Sequence, residues 1–403
     1  MATVSRLLGV RFEVPVPPPA PSDVAGWFGA APGLYLHVPF CTTICPFCPY
    51  NKVRYVSEQA PRYLEDLERE VTMYLDVFSG PFPSLYVGGG TPTLCLGALR
   101  GVLGRLPITG ERAIEVLPAH MTPEGAGRLL DLGFDYVSLG VQSFDAEVLR
   151  RLRRRGSPEQ NREAVEAAVG RFACIDIDLI FDSVFDDPEI LLSDLQVCFA
   201  YGVDQVSTYP LMRFGYTPFG KVAHDRSTEH ALLREATELA RSNGYERRSV
   251  WTFNRVGSPA YTSITRPFYL GIGAGAASFG GSVFAVDHFG LAQYHEALSE
   301  GRLPIARVAR LRRPAAAAYR WFWQAYTGAI PIGSGDPLLA HPVSITLRDL
   351  LMLFGLAHRK DGAVALTELG YDRYHDLERW VTYHLIEPLW AEMMEEHATA
   401  GVS

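Results

Sequence analysis

Three cysteines fall within eight positions in CTTICPFC, namely Cys41, Cys45 and Cys48, at a spacing of C-x3-C-x2-C. Thiols packed this closely are soft ligands gathered for a metal. A structural zinc site is closed by four ligands, commonly two pairs far apart in the sequence, and there is no second pair here. His37 is near, but it falls inside an apparent strand, LYLHVPF, and is left out of the ligand set. A cube of four irons normally takes four thiolates, so three cysteines leave one iron without a protein ligand. An iron with an open position binds a small molecule directly and hands it an electron, by the logic that separates open catalytic metal sites from closed structural ones. Cys95, Cys174 and Cys198 are scattered singly, unlike a secreted disulfide framework.

Other residues suited to chemistry follow short apolar runs. GGGTPT follows SLYVGGG, Glu115 lies near the end of AIEVLP, Gln142 near the end of YVSLGVQSF, Asp178 late in IDIDLIF, and YPLMRF closes QVSTYPL. With LYLHVPF these runs, at 34–40, 84–90, 113–118, 136–144, 175–181 and 205–211, read as six buried strands. Helical stretches separate them: PRYLEDLEREVTMYL repeats Tyr63, Leu67, Val71 and Tyr74 at helical spacing, and MTPEGAGRLLDLG offers Thr122 as a cap. The alternation predicts an α/β fold with a parallel sheet. A partial (β/α)6-type TIM barrel fits better than an open sheet, because a barrel brings all six strand ends to one rim whereas an open sheet gathers ligands at one crevice.

Of the 403 residues, 48% are hydrophobic, enough for one large domain and an appendage. Residues 1–30, with PVPPPAP, read as an extended or disordered leader, 31–300 as the barrel domain, and 301–403 as a mainly helical accessory domain beyond a linker rich in Pro and Arg. LGIGAGAASFGG closes or caps the barrel. No run approaches the roughly 18–20 apolar residues of a membrane span and the start lacks a signal-peptide pattern, so the chain reads as cytoplasmic with no membrane partner. A formal charge of −8 opposes binding to phosphate backbones, and RRLRRR at 150–155 reads mostly as a solvated helix face. Nucleic acid is not an expected partner.

C-x3-C-x2-C after a first barrel strand is the motif of the radical S-adenosylmethionine enzymes, and the chain resembles that superfamily. LYLHVPFCTTICPFCPYNK, GGGTPT, the EVLP strand, LGVQSF and the IDL strand, over about 34–285, look like the branch typified by oxygen-independent coproporphyrinogen III oxidase. The resemblance implies a [4Fe-4S] cluster on Cys41, Cys45 and Cys48 whose fourth iron chelates S-adenosylmethionine and cleaves it to a 5′-deoxyadenosyl radical. The absent fourth ligand is then the cofactor. An external electron donor of flavodoxin or ferredoxin type is implied too, as is a second S-adenosylmethionine molecule beside the first. Carried over by position, Tyr35, Gly90, Thr91 and Glu115 contact the molecule on the cluster, while Phe47, Gly89, Gln142, Arg154 and Asp178 hold the second. Glycines let backbone N–H groups approach a carboxylate, carboxylates accept from ammonium or hydroxyl groups, and arginine matches a carboxylate as a fork. The ordinary alternatives are core aromatics at Tyr35 and Phe47, a tight turn at GGGTPT, buried ion pairs at Glu115 and Asp178, a backbone-satisfying Gln142 and a surface Arg154.

Within the branch three kinds of member compete. The haem chaperones carry Y-G-L-P after the fifth strand and H-N-x-x-Y-W before the glycine-rich segment, where this chain has IFDSVFDD (180–187) and YTSITRPFYLGIG (261–273). Coproporphyrinogen oxidase has an additional cysteine where Tyr50 stands. STYPLMRFGYTPFGK (207–221) and WTFNRVGSPAYTSITRPFYLGIGAGAASFGG (251–281) look most like the class C radical methyltransferases. The expectation is therefore an enzyme using two S-adenosylmethionine molecules to methylate an sp2 carbon of a natural-product precursor. Its substrate is a small molecule or modified peptide, such as a thiopeptide thiazole or an indolic acid. A haem chaperone or a coproporphyrinogen III oxidase-like decarboxylase is the alternative. No general base is assigned among Glu115, Asp178, Tyr50 and Tyr209.

Overall fold

In a computed structural model of the chain the described residues are 10–184, 186–220, 226–259 and 266–400. All six expected runs form strands: β1 Gly33–Val38, β2 Leu85–Gly89, β3 Arg112–Val116, β4 Tyr136–Gln142, β5 Cys174–Phe181 and β6 Gln205–Pro210. They pair in sequence order and all are parallel. Side chains alternate between the two faces of each strand. Leu34, Leu36, Val87, Ile114, Leu139, Ile177 and Val206 join the core beneath the helices. The alternate positions, among them Tyr86, Glu115, Ser138, Asp176, Asp178 and Ser207, line a cavity inside the curved sheet. Helix Gln59–Leu75 buries Tyr63, Leu67, Val71 and Tyr74, the four residues set at helical spacing. Thr122 caps helix Pro123–Asp131, its hydroxyl oxygen accepting from Gly125 N–H at 3.0 Å, a contact worth about 1 kcal/mol.

The sheet extends beyond the six strands. β7 Tyr245–Arg247, β8 Thr252–Arg255, β9 Tyr269–Ile272, β10 Ala277–Phe279, β11 Val283–Asp287 and β12 Ile305–Arg310 complete a twelve-stranded order, 12-11-10-9-1-2-3-4-5-6-8-7. β9 runs parallel to β1, and the remaining additions are antiparallel. The small-residue stretch LGIGAGAASFGG thus supplies two strands and the turn between them. Gly273 in that turn has φ +113°, and a Cβ there would meet the Tyr63 hydroxyl at 2.7 Å.

The strands do not close the barrel; a helix does. On helix Arg313–Tyr326, Tyr319 meets the Tyr269 hydroxyl of β9 at 2.7 Å, and Tyr326 packs edge-on against Trp251, next to β8, at 5.8 Å. Seven residues of helix rise about 10 Å, which spans the split between the two flanks of the sheet.

Beyond it lie helices Pro342–Leu353, Glu368–Val381 and Glu387–Ala400 and an antiparallel sheet of β13 Ala329–Pro331, β14 Ala357–Lys360 and β15 Ala363–Leu366. The segment expected as an accessory domain is helical in the main, but its first strand, β12, belongs to the main sheet. At the other end, where an extended or disordered leader was expected, Glu13 exchanges two 2.9 Å backbone bonds with Val308 of β12, Phe12 meets Phe284 edge-on, and Val24 is buried in the short helix Pro21–Ala25. Residues 1–9 of the leader, Phe185 of IFDSVFDD, Lys221 of STYPLMRFGYTPFGK and residues 260–265 of the later signature lie outside the described residues.

Candidate functional site

The loop that carries the three cysteines is pinned at both ends. Phe40–Cys41, directly after β1, pairs with Val53–Arg54, and Tyr55 N–H donates to Cys41 O at 2.8 Å. Inside the loop Cys48 N–H donates to Cys45 O at 3.2 Å, and Asn51 Nδ2 donates to Ala274 O and Phe289 O. His37 anchors the exit: Asn51 O can only accept, so Nε2–H donates to it at 3.0 Å, and Nδ1 accepts from the Tyr35 hydroxyl at 2.8 Å. Burial pushes the His37 imidazole down to about 4, so it stays neutral. His37 is thereby a loop anchor.

All three cysteines are free thiols, partly exposed and lining the cavity. Burial pushes the Cys41 thiol up to about 11 and raises Cys48, so neither ionises at neutral pH without a cation to pull the proton off. Among the described residues no three His, Cys, Asp or Glu side chains converge on one metal-ion position. An iron–sulfur cube does not need them to, because each iron takes its own thiolate. The donor set fits such a cluster and does not fit a lone ion.

The cavity measures about 1500 Å³, and of the residues expected to hold the cluster or S-adenosylmethionine all but Tyr35 line it. Tyr35 stacks on Tyr86 at 5.8 Å with its hydroxyl committed to His37. From β2, Gly89 N–H donates to Glu115 Oε2 at 3.1 Å, Gly90 N–H to Val38 O at 2.7 Å and Thr91 N–H to Phe40 O at 2.7 Å. These donors are all engaged, so the glycine segment does not offer the backbone N–H cradle for a carboxylate that its composition suggested. Glu115 on β3 also accepts from the Tyr86 hydroxyl at 2.5 Å, and burial, partly offset by Gly89 N–H, pushes it up to about 7.

Gln142 ends β4 at φ +72°, after a break in register. That left-handed conformation is unfavourable for a residue with a side chain and is typical of strain held at functional sites. Arg154 lies past the end of helix Ala146–Arg151. Its guanidinium donates to Gly140 O at 2.5 Å and approaches Cys45 Sγ at 3.6 Å. The basic run therefore divides: Arg150 pairs with Glu147 on the surface, while Arg153, Arg154 and Arg155 line the cavity. On β5, Asp178 accepts from Ser138 Oγ at 2.5 Å and is raised chiefly by burial, then by neighbouring Asp176. Asp176 accepts from Gln205 and Ser207 and is pushed up to about 6 by burial. Phe47 packs near Phe219 at 6.4 Å.

The sequence places the segment after about residue 300 at the substrate entrance by its position after the barrel, but names none of that segment's residues on this outer wall. Tyr50, half-exposed into the cavity, packs on Trp390 at 5.5 Å, and Glu378, Trp380, Thr382 and Leu385 join it from the C-terminal helices. They lie more than 300 residues from the cysteines in sequence, with no motif to mark them. His120, held by Thr93 at 2.6 Å, was missed as well; its place after GGGTPT and the EVLP strand was the available signal.

The chain is similar to several known proteins. Residues 35–194 match the radical SAM superfamily. The chain is 29% identical over 309 residues to oxygen-independent coproporphyrinogen III oxidase of Pseudomonas aeruginosa, covering 68% of this chain and 67% of that protein. It is 24% identical over 371 residues to heme chaperone HemW of Bacillus subtilis, covering 83% and 95%. In fold it is similar to the crystal structure of coproporphyrinogen III oxidase HemN from Escherichia coli, with a TM-score of 0.74, 22% identity, and 88% and 91% coverage.

These relatives overturn the expectation of a class C methyltransferase acting on a thiopeptide or other natural-product precursor. The two blocks that suggested it are divided between barrel packing and the cavity wall. Leu211 packs on Val148 and Leu152, Arg213 pairs with buried Asp182, and Asn254 donates to Gln205, while Leu211 and Asn254 also line the cavity. A likeness in residues that serve the barrel as well as the cavity does not single out a methyl acceptor.

Proposed function

The chain carries a radical S-adenosylmethionine domain, and from that premise we propose that it cleaves S-adenosylmethionine to act on a cyclic tetrapyrrole with carboxylate side chains. One observation carries the reading. A single cavity of about 1500 Å³ has the three-cysteine loop on its wall and an aromatic surface from the C-terminal helices opposite the strand ends. That exceeds the ~300–1,000 Å³ of an ordinary small-molecule site, leaving room for a macrocycle beside the cofactor. The relatives named for a porphyrinogen and for heme supply the tetrapyrrole chemistry.

A [4Fe-4S] cluster held by Cys41, Cys45 and Cys48 supplies, when bound, the electron that splits S-adenosylmethionine into methionine and a 5′-deoxyadenosyl radical. The chain's own residues bind and orient. Glu115, fixed by Tyr86 and Gly89, accepts from ammonium or ribose hydroxyl groups, and Thr91 stands beside Cys41 at 3.8 Å. Arg154, held by Gly140 O, offers its fork to a carboxylate. Phe47, Gln142, Arg154 and Asp178 are proposed to hold a second S-adenosylmethionine. Arg153, Arg155 and Arg248 on the cavity wall suit the carboxylates of the macrocycle, and Trp380 and Trp390 suit its flat face. The electron comes from an external donor of flavodoxin or ferredoxin type.

The test uses anaerobically reconstituted protein with S-adenosylmethionine, a reductant, coproporphyrinogen III and a one-electron acceptor for the substrate radical that remains when a carboxyl group leaves. The expected result is 5′-deoxyadenosine whose release depends on the macrocycle, together with loss of carboxyl carbon as carbon dioxide. Equilibrium dialysis is expected to count two S-adenosylmethionine molecules per chain. Deoxyadenosine released at the same rate without the macrocycle, and a macrocycle recovered unbound and unaltered, would sink the reading. Tight haem binding without turnover would instead put the chain with the chaperones.

A further inference from the structure

Glu378 sits on helix Glu368–Val381, only 8% exposed, on the wall of the same cavity as the three cysteines. Its Oε1 accepts from the Thr382 hydroxyl at 3.2 Å. Its Oε2 is buried and has no hydrogen-bond partner among the described residues. The adjacent Arg379 is committed to Glu229 and does not neutralise it. Buried polar atoms are almost always paired, and one left unpaired beside a cavity calls for a partner from outside the chain. Burial, partly offset by the Thr382 hydroxyl and the nearby Arg379, pushes the Glu378 carboxyl up to about 7.

The local backbone is also unusual. Directly after Val381 the helix widens into a π-turn over Thr382–Ile386, and Thr382, Leu385 and Ile386 face the cavity with Glu378. Such turns are rare and recur at functional sites. The C-terminal helices also set the apolar side chains of Trp380, Leu385 and Trp390 on the wall of this cavity. The complement of one buried acceptor beside an apolar wall is an apolar ligand with N–H donors near its centre. A reduced cyclic tetrapyrrole has four pyrrole N–H groups in that position. A metallated macrocycle has none.

We propose that Glu378 accepts hydrogen bonds from the pyrrole N–H groups of a porphyrinogen, so that this carboxylate selects the reduced, metal-free macrocycle over its metal complex. This rests on the tetrapyrrole reading above. Thr382 is the positioning residue that orients the carboxylate.

The experiment is equilibrium dialysis of the anaerobically reconstituted protein against coproporphyrinogen III and, separately, zinc coproporphyrin III. The wild-type chain is expected to prefer the porphyrinogen. Glu378→Gln and Glu378→Leu are expected to lower that preference by about ten- to a hundredfold, the range for hydrogen bonds to a charged acceptor. Thr382→Val is expected to lower it by a smaller factor, and circular dichroism checks that each variant folds. A preference unchanged in all three variants overturns the assignment while leaving the tetrapyrrole reading intact. If the wild type binds neither macrocycle, both fall.

Discussion

Cys41, Cys45 and Cys48 leave little latitude, because no other sulfur ligand lines the cavity except Met212. Changing any one of them to alanine is expected to abolish cluster absorbance after reconstitution and all reductive cleavage of S-adenosylmethionine, read by chromatography of 5′-deoxyadenosine. Turnover surviving in any of the three refutes the site. Glu115 makes a separate prediction. Its carboxyl is held at about 7 in the fold against 4.5 unperturbed, mainly by burial. Between those values the folded chain keeps a proton that the unfolded chain has released, so this group makes stability fall as pH rises, and the penalty is complete above about 7. Glu115→Gln removes the penalty. Compared with wild type, the cofactor-free variant is expected to gain stability between pH 5 and pH 7 at roughly 1.4 kcal/mol per pH unit at most. Thermal melts across that range check it, and a parallel pH dependence in the two proteins would contradict it.

At the scale of the element, the strand ends show where regular structure gives way to function. β4 would be unstrained if Gln142 were a glycine, since only the side chain makes φ +72° costly. Gln142→Gly is expected to raise stability by about 1 kcal/mol, within the range for relieved backbone strain, while weakening S-adenosylmethionine binding. A denaturant titration and a binding titration read the two effects, and a variant that gains stability with unaltered affinity would make Gln142 structural. The six parallel strands were legible in the sequence because long apolar runs such as IDIDLIF were each followed by a polar or glycine-rich end. β7 and β10 were not, because Tyr245–Arg247 and Ala277–Phe279 are three residues long, too short to show a period.

On the scale of the whole molecule, a buried chain of contacts is among those that bind the C-terminal helices to the barrel. Trp251 Nε1–H donates to His375 Nδ1 at 2.9 Å, and His375 Nε2–H donates to Glu229 Oε2 at 2.8 Å, where Arg379 also binds. The indole can only donate, which fixes the tautomer. Trp251→Phe keeps the ring and leaves His375 Nδ1 buried without a donor, at a cost of about 1–3 kcal/mol. The expected result is a lower melting temperature with the cysteine loop unaffected, so cluster loading should persist. If the melting temperature holds, the chain of contacts does not join the two parts. Among the described residues no helix is long and apolar enough to cross a membrane.

The sequence by itself determined the cluster loop, the six parallel strands and the rim residues from Gly89 to Asp178, because each is a local pattern of spacing or periodicity. Tertiary structure alone decided that a helix closes the barrel, that the N–H groups of Gly89, Gly90 and Thr91 are already engaged, and that Glu378 and the cysteines line one cavity. Those outcomes depend on which distant surfaces must cover one another to leave water. No spacing along the chain encodes that choice.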